Sequence, residues 1–586
     1  MVKRVFVAWV CAVGFAASLA SGGQIEGAAA GAAIQGGGPL PRDTRPSTGR
    51  AIIRGRIVAS DNGLPMRRAM VRATAPEMRG ARSSSTDNDG RYEIRDLPAG
   101  RYSISVTKPS FVSWSYGQTQ PNSPGKPVVI ADGQTVDHVD VSLPRGAVIA
   151  GRITDEFGEP VPNVNVTTIR QQYSQGQRRL VTVGARAQTN DIGEYRLFGL
   201  APGRYFVSAT AQAQTFALPA VNGIDLSGER YGFAPTFYPA TVNPSTAGTI
   251  PVATGQLISG IDITLQSARL ATINGVAIDA QGRPVAGGSV SAIVRGGGTP
   301  ALGLLNAPVR QDGTFVLPNV PPGEYIVRVI APRPPQAGPP TGLPEFSTAL
   351  VTVNGEDLSG VTLVPAAPVT IAGRVVFDDP GASQSLKASN IRILAQPLGA
   401  DDNLLGGGGL PSPLHDDFTF EIKTFPGRVA LRAVLPFTPD ASNGWQLKAV
   451  RVNGVDVTDT GVDVSAQGTS SIEIEVTNRT QQISGAVTDA AGASVKDYTV
   501  LLFSQSRSRW TEPTSRYLAL ARPRDDGSFR VATLPPGEYF AVALVRIDTN
   551  DWQDPETLDT LSRSATTFVL APGDTRTLDL KLSNAP

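Results

Sequence analysis

The side chains able to do chemistry are few and scattered. The chain has two histidines, His138 and His415. Neither stands in a His-x-x-Glu or His-Glu-x-x-His pattern, the spacing that brings zinc ligands and a base to one helix face. The only cysteine, Cys11, lies in an apolar N-terminal segment, and there is no Gly-x-Ser-x-Gly turn. Neither a thiol nor a serine nucleophile is therefore set up. Paired carboxylates occur at Asp401-Asp402, Asp416-Asp417 and Asp525-Asp526, but in turn-like contexts, not as a glycosidase acid facing its base. Asp87-Asn88-Asp89-Gly90 has the start of a calcium loop without its downstream glutamate, so a hairpin turn is the better account. The reading is no catalytic residue, no cofactor and no metal.

What remains is aromatic. Phe111, Trp114 and Tyr116 crowd one loop, and Tyr231, Phe233, Phe237 and Tyr238 crowd a second. Flat rings beside polar groups are how proteins grip sugar faces, and each ring offers apolar area at small entropic cost. The same rings could instead cap the end of a domain and pack on its neighbour. These seven residues are the candidate ligand-binding set.

The elements that must position them repeat. Asp87-Asn88-Asp89-Gly90-Arg91-Tyr92 followed by Leu97-Pro98-Ala99-Gly100-Arg101-Tyr102 recurs as Asp191-Ile192-Gly193-Glu194-Tyr195 with Leu200-Ala201-Pro202-Gly203-Arg204-Tyr205. It recurs again as Asp312-Gly313-Thr314-Phe315 with Pro322-Gly323-Glu324-Tyr325, and as Asp526-Gly527-Ser528-Phe529 with Pro536-Gly537-Glu538-Tyr539. The two glycines are ten positions apart in each copy. Constant internal spacing at domain-sized intervals means one unit used several times. Each copy opens on an apolar strand broken by one glycine: Gly55, Gly151, Gly275, Gly373 and Gly485. A glycine inside a strand marks a bulge or a close backbone approach. The Asp-x-Gly element predicts a tight turn into an inward aromatic, and Tyr102, Tyr205, Tyr325 and Tyr539 are placed to bond back to nearby backbone as corner tyrosines. Alternating strands such as 139–143, 261–265 and 578–582 close the copies. A fourth copy is degenerate: Phe418 stands where the turn glycine belongs, and Phe425-Pro426-Gly427 leads to no tyrosine. One short helix is predicted where Asp554 caps Pro555-Glu556 ahead of Leu558 and Leu561.

These motifs together resemble the carboxypeptidase regulatory-like domain. The resemblance implies a transthyretin-like, or prealbumin-like, β-sandwich grouped with carbohydrate-binding-like folds, found in exported bacterial proteins. It implies a support or binding role and supplies no catalytic residue. The fold class expected is all-β, a tandem array of about five small Greek-key or prealbumin-like sandwiches. The boundaries read as 51–145, 146–268, 269–365, a degenerate 366–479, and 480–586.

Composition agrees. The chain has 586 residues, 41% hydrophobic and 18% charged, with 62 glycines and 47 prolines, which suits packed β-domains with many turns. Net charge is +1 with no basic stripe, which excludes ordinary nucleic-acid binding. Lys3 and Arg4, the apolar run from Val5 to Leu19 and the small residues of Ser18-Leu19-Ala20 read as a signal peptide over 1–20. A Gly, Ala and Pro-rich linker over 21–50 follows. With the signal cleaved, no membrane span is expected, and the remaining chain must fold without disulfides. The chain is expected to be exported: periplasmic, outer-membrane-associated or secreted. The expected function is a non-catalytic scaffold or binding protein of the cell envelope, with polysaccharide or another envelope protein as partner. A purely structural or protein-docking array attached to an outer-membrane transport or surface complex is the alternative. A glycan- or peptide-cleaving enzyme is the remotest reading.

Overall fold

Each repeat builds two strand layers, and the fold is all-β. The computed structural model describes residues 49–586 except 77, 79, 122–124, 212–229, 296–304, 331–342, 344–345, 400–410, 437–443, 525, 533, 549–550 and 584–586. The expected signal peptide and nearly all of the expected linker lie outside the described residues. In the first module, strand Ala51–Ala59 pairs antiparallel with Arg91–Leu97, and parallel with Thr135–Val136 and Val141–Leu143. The facing sheet runs Ala81–Ser85, Met70–Thr74, Gly100–Thr107 and Trp114–Ser115, with Val128–Ile130 also on the Gly100–Thr107 strand. The second module repeats the plan around Ala147–Thr154 and Gly203–Ala211. In the third, Phe346–Val353 pairs with Leu358–Pro365 and joins the two layers into one seven-stranded sheet. The fifth joins its layers likewise, through Gly537–Leu544 and Leu580–Ser583. Among the described residues each module has one main apolar core, drawn from residues 51–143, 147–265, 271–363, 369–476 and 483–580, and the second and fifth each add a smaller cluster.

The closing strands depart from simple alternation. They run parallel to the opening strand, because the chain returns beside it through a long connection, and they are shorter than the pattern suggests: Val141–Leu143, Ile263–Thr264 and Leu580–Ser583. Just before each, the backbone bulges over the opening-strand glycine. A Cβ at Gly55 would overlap the Val139 carbonyl; at Gly151, Ile261; at Gly275, Val361; at Gly373, Ile472; at Gly485, Leu578. The glycine is thus a close approach, repeated five times. The bulge aspartates are also used. Asp140 accepts from the Arg56 amide at 2.6 Å, and Asp262 from the Arg152 amide at 2.8 Å.

The degenerate fourth module keeps its register. Phe418 adopts φ +63°, the left-handed region glycine occupies in the other copies. Its carbonyl accepts from the Val375 amide at 2.9 Å, as Gly90 does from Ile57 and Gly193 from Ile153. Among the described residues one α-helix occurs, Pro555–Ser562, capped by Asp554 and burying Leu558 and Leu561.

Candidate functional site

The turn carboxylates and amides sit at exposed positions and are spent on neighbouring backbone. Asp87 accepts from the Asp89 and Arg91 amides at 2.9 and 2.8 Å, and Asn190 from Ile192 and Glu194 at 3.2 and 2.8 Å. Asp312, Asp417 and Asp526 each take the amide and hydroxyl of the residue two positions on. These are side-chain-closed turns, and the bonds from the residue two positions on hold the Asp312, Asp417 and Asp526 carboxyls below the ordinary carboxylate range. Asp401, Asp402 and Asp525 lie outside the described residues. His138 and His415 are exposed and sit in different modules. Among the described residues, no group of three or more His, Cys, Asp or Glu is arranged to hold a metal ion.

The corner tyrosines close the same logic. Tyr102, Tyr205, Tyr325 and Tyr539 each donate the phenol to the carbonyl four residues back, at 2.8, 2.7, 2.9 and 2.6 Å. Tyr92 and Tyr195 donate to the bulge carbonyls of Val139 and Ile261 at 2.8 and 2.6 Å. Burial raises the pKa of the Tyr92, Tyr195, Tyr205, Tyr325 and Tyr539 phenols, Tyr325 to about 12.

The seven aromatic candidates do not form one surface. Phe111 sits at the junction of the first two modules, bridged by backbone to Arg145, whose guanidinium lies 5.9 Å from its ring. Trp114 and Tyr116 are half-buried against the first core, and the Trp114 indole donates to the Gln118 carbonyl at 2.9 Å. Tyr231 and Phe233 lie on strand Tyr231–Ala234, paired with Gln266–Arg269 at the start of the third module. Phe237 is buried with Ile169 and Phe206. Tyr238 is half-buried on the second core. A shallow groove of about 620 Å³ lies beside Gly151, lined in part by Asn190, Glu194 and Asp262, but Asn190 and Asp262 already serve backbone amides.

A half-buried ionic cluster lies where the fourth and fifth modules meet, and the sequence reading missed it. Asp459 is 3% exposed and accepts from Arg516 through both carboxylate oxygens, at 3.0 Å from Nε and 3.0 Å from Nη2, and also from the Arg516 amide at 3.0 Å. Arg516 Nη1 donates onward to the Lys448 carbonyl at 2.8 Å. Arg509 binds Glu512 at 3.0 Å and lies 4.4 Å from the centre of the Tyr517 ring. Burial pushes the Glu512 carboxyl up, against the pull of Arg509. Two carboxylates face two guanidiniums, so the charges are paired and no free base remains. The arrangement is a lock. No local signal marked it, since residues 459 and 516 belong to different copies of the repeat.

Residues 52–144 and 148–228 match the carboxypeptidase regulatory-like domain. These are the first two modules, and in both matched segments the strand glycine, the side-chain-closed turn and the corner tyrosine occupy equivalent places. No curated protein matches the chain. Among solved structures, a streptococcal ancillary pilin aligns at 13% identity over 54% of this chain and 98% of that chain, with a TM-score of 0.19. The major pilin subunit BcpA of Bacillus cereus aligns at 12% over 54% and 99%, with 0.13. Two B repeat units of the collagen binding protein of Staphylococcus aureus align at 12% over 74% and 100%, with 0.12.

Proposed function

We propose that this chain is an exported, non-catalytic scaffold of the cell envelope that acts by docking other macromolecules. One observation carries the reading. In every module the motif residues that could do chemistry spend their polar atoms on their own backbone, so the repeat specifies a frame. The regulatory-like domain matched by the first two modules implies support and binding in the same way. No helix among the described residues is long and apolar enough to cross a membrane. The test is capture of envelope proteins on the purified chain, with fractionation to place it among periplasm, outer membrane and medium. Turnover of polysaccharide or peptide by the purified chain would overturn the reading.

A carbohydrate partner is the finer reading. Three half-buried rings, Phe111, Trp114 and Tyr116, stand within one short loop. Glycan-array binding that is lost in Trp114→Ala or Tyr238→Ala, with folding intact, supports it. A wild-type chain that binds no glycan leaves protein docking as the function.

A further inference from the structure

One strand pair in the second module is out of proportion to its counterparts. Elsewhere the equivalent pair is short: Met70–Thr74 with Ala81–Ser85, Ser289–Val294 with Leu305–Pro308, Arg392–Pro397 with Ser412–Pro413, and Thr499–Ser504 with Leu518–Ala521. In the second module it is Val164–Ser174, of 11 residues, with Gln177–Gln188, of 12. The turn between them, Gln175-Gly176, has φ of +53° and +74°, which matches the right-handed twist of a long two-stranded ribbon. The module's main core uses the near half, through Val164, Val166, Val183, Ala185 and Ala187.

Beyond Ile169 and Leu180, which pack on Phe206 and Phe237 of the same module, the tip meets other modules. Tyr173 is 8% exposed yet belongs to no part of its own module's core, and its hydroxyl has no partner. Arg170, 6% exposed, holds Asp548 of the fifth module at 2.8 Å, with its guanidinium 5.0 Å from the Tyr205 ring. Arg178 grips both oxygens of Asp554 at 3.0 Å each and Glu556 at 2.7 Å. Gly176 lies against the Thr511 carbonyl so closely that any side chain there would collide. Arg179 reaches the Leu398 carbonyl of the fourth module at 3.5 Å.

We propose that residues 170–179 are a docking arm, an intramolecular clasp that fastens the fifth module to the second by an ionic, releasable grip and touches the fourth through Arg179. Two guanidiniums against three carboxylates supply the attachment. The Arg178 side is open enough to solvent (42% exposed) for salt to compete. The clasp turns a chain of sandwiches into one body whose modules 2 and 5, remote in sequence, move together.

The test uses the full chain carrying Cys11→Ser and paired spin labels at the exposed positions Gln171 and Thr560. At low salt a single narrow distance distribution is expected. It should broaden and lengthen in the Arg170→Ala, Arg178→Glu double variant, and in about 1 M salt, where the screening length is about 3 Å. It should do the same in a chain whose residues 172–179 are replaced by Asn-Gly, a change that keeps the near half of the hairpin. Amide exchange in 507–517 should quicken on the order of tenfold while 164–168 stays protected, which separates release from unfolding. A broad distribution already present in the unaltered chain, or distances unmoved in both variants, overturns the clasp. Movement in the shortened arm alone overturns its ionic grip.

Discussion

At the scale of single residues, the repeat is written in positions where one atom too many would collide. Gly55 has no room for a Cβ, with the Val139 carbonyl and the Tyr92 ring against it, whereas Gly63, at φ +67°, faces open space. Gly55→Ala should therefore destabilise the first module by about 2–3 kcal/mol, the ordinary cost of overpacking a close approach. Gly63→Ala should cost about 1–2 kcal/mol, from left-handed strain alone. Amide exchange across Ala51–Ala59 ranks the two, and equal effects would contradict the close-approach account. The corner tyrosine makes a second case. Tyr325→Phe leaves the part-buried Pro321 carbonyl without its donor and should cost about 1 kcal/mol. Since burial raises the Tyr325 phenol from its ordinary 10 to about 12, its neutral form is favoured in the fold. The stability linked to it is complete below pH 10 and is lost as pH rises through 12. Phenolate absorbance during alkaline titration should show this tyrosine ionising late.

At the scale of elements, the sequence was readable wherever a local rule decided the structure. The side-chain-closed turns, corner tyrosines, capped helix and opening strands all rest on residues within about ten positions of each other. The closing strands were only half legible. Val139 and Ile261 looked like strand residues, yet the neighbouring glycine needs a bulged carbonyl above it, so the paired segment starts later. Phe418 shows a local rule overridden. It accepts φ +63° because its ring packs edge-on with Phe377 at 5.0 Å, and Phe377 meets Trp445 at 5.4 Å. Phe418→Gly relieves strain of about 1–2 kcal/mol but gives up an aromatic side chain whose removal costs about 3 kcal/mol, so a net loss of about 1–2 kcal/mol is expected. A gain in thermal stability would mean the strain outweighs the packing. In the same module Asp378 bonds Lys448 and accepts from Thr477 at 3.0 Å, and the lysine bond holds its carboxyl below the ordinary range. The stability this supplies is present above the ordinary carboxylate range and is lost as pH falls through the depressed value. Lys448→Met should lower stability at neutral pH and flatten its dependence on acid, as followed by tryptophan fluorescence of Trp445.

At the scale of the whole molecule, the modules are joined by contacts that no repeat position encodes. Thr119 donates to Asp497 at 3.1 Å and Gln120 to the Val545 carbonyl at 2.7 Å, tying the first module to the fifth. Phe346 and Phe425 pack at 4.8 Å between the third and fourth. The fourth and fifth share the pair of Asp459, 3% exposed, with Arg516, 16% exposed. A buried pair adds little over an apolar contact of the same shape, but removing one partner strands the other charge, at about 3–5 kcal/mol. Asp459→Ala should therefore do little to the apolar core of either module, since neither uses this side chain. It should instead uncouple them. In the unaltered chain the two modules are expected to melt in one calorimetric transition. In the variant that transition should split, with the fifth module unfolding first because its loop 507–517 is held from the fourth module by Asp459. A single transition moved down intact would place the pair inside one cooperative core, and the modules would then be units of sequence without being units of stability.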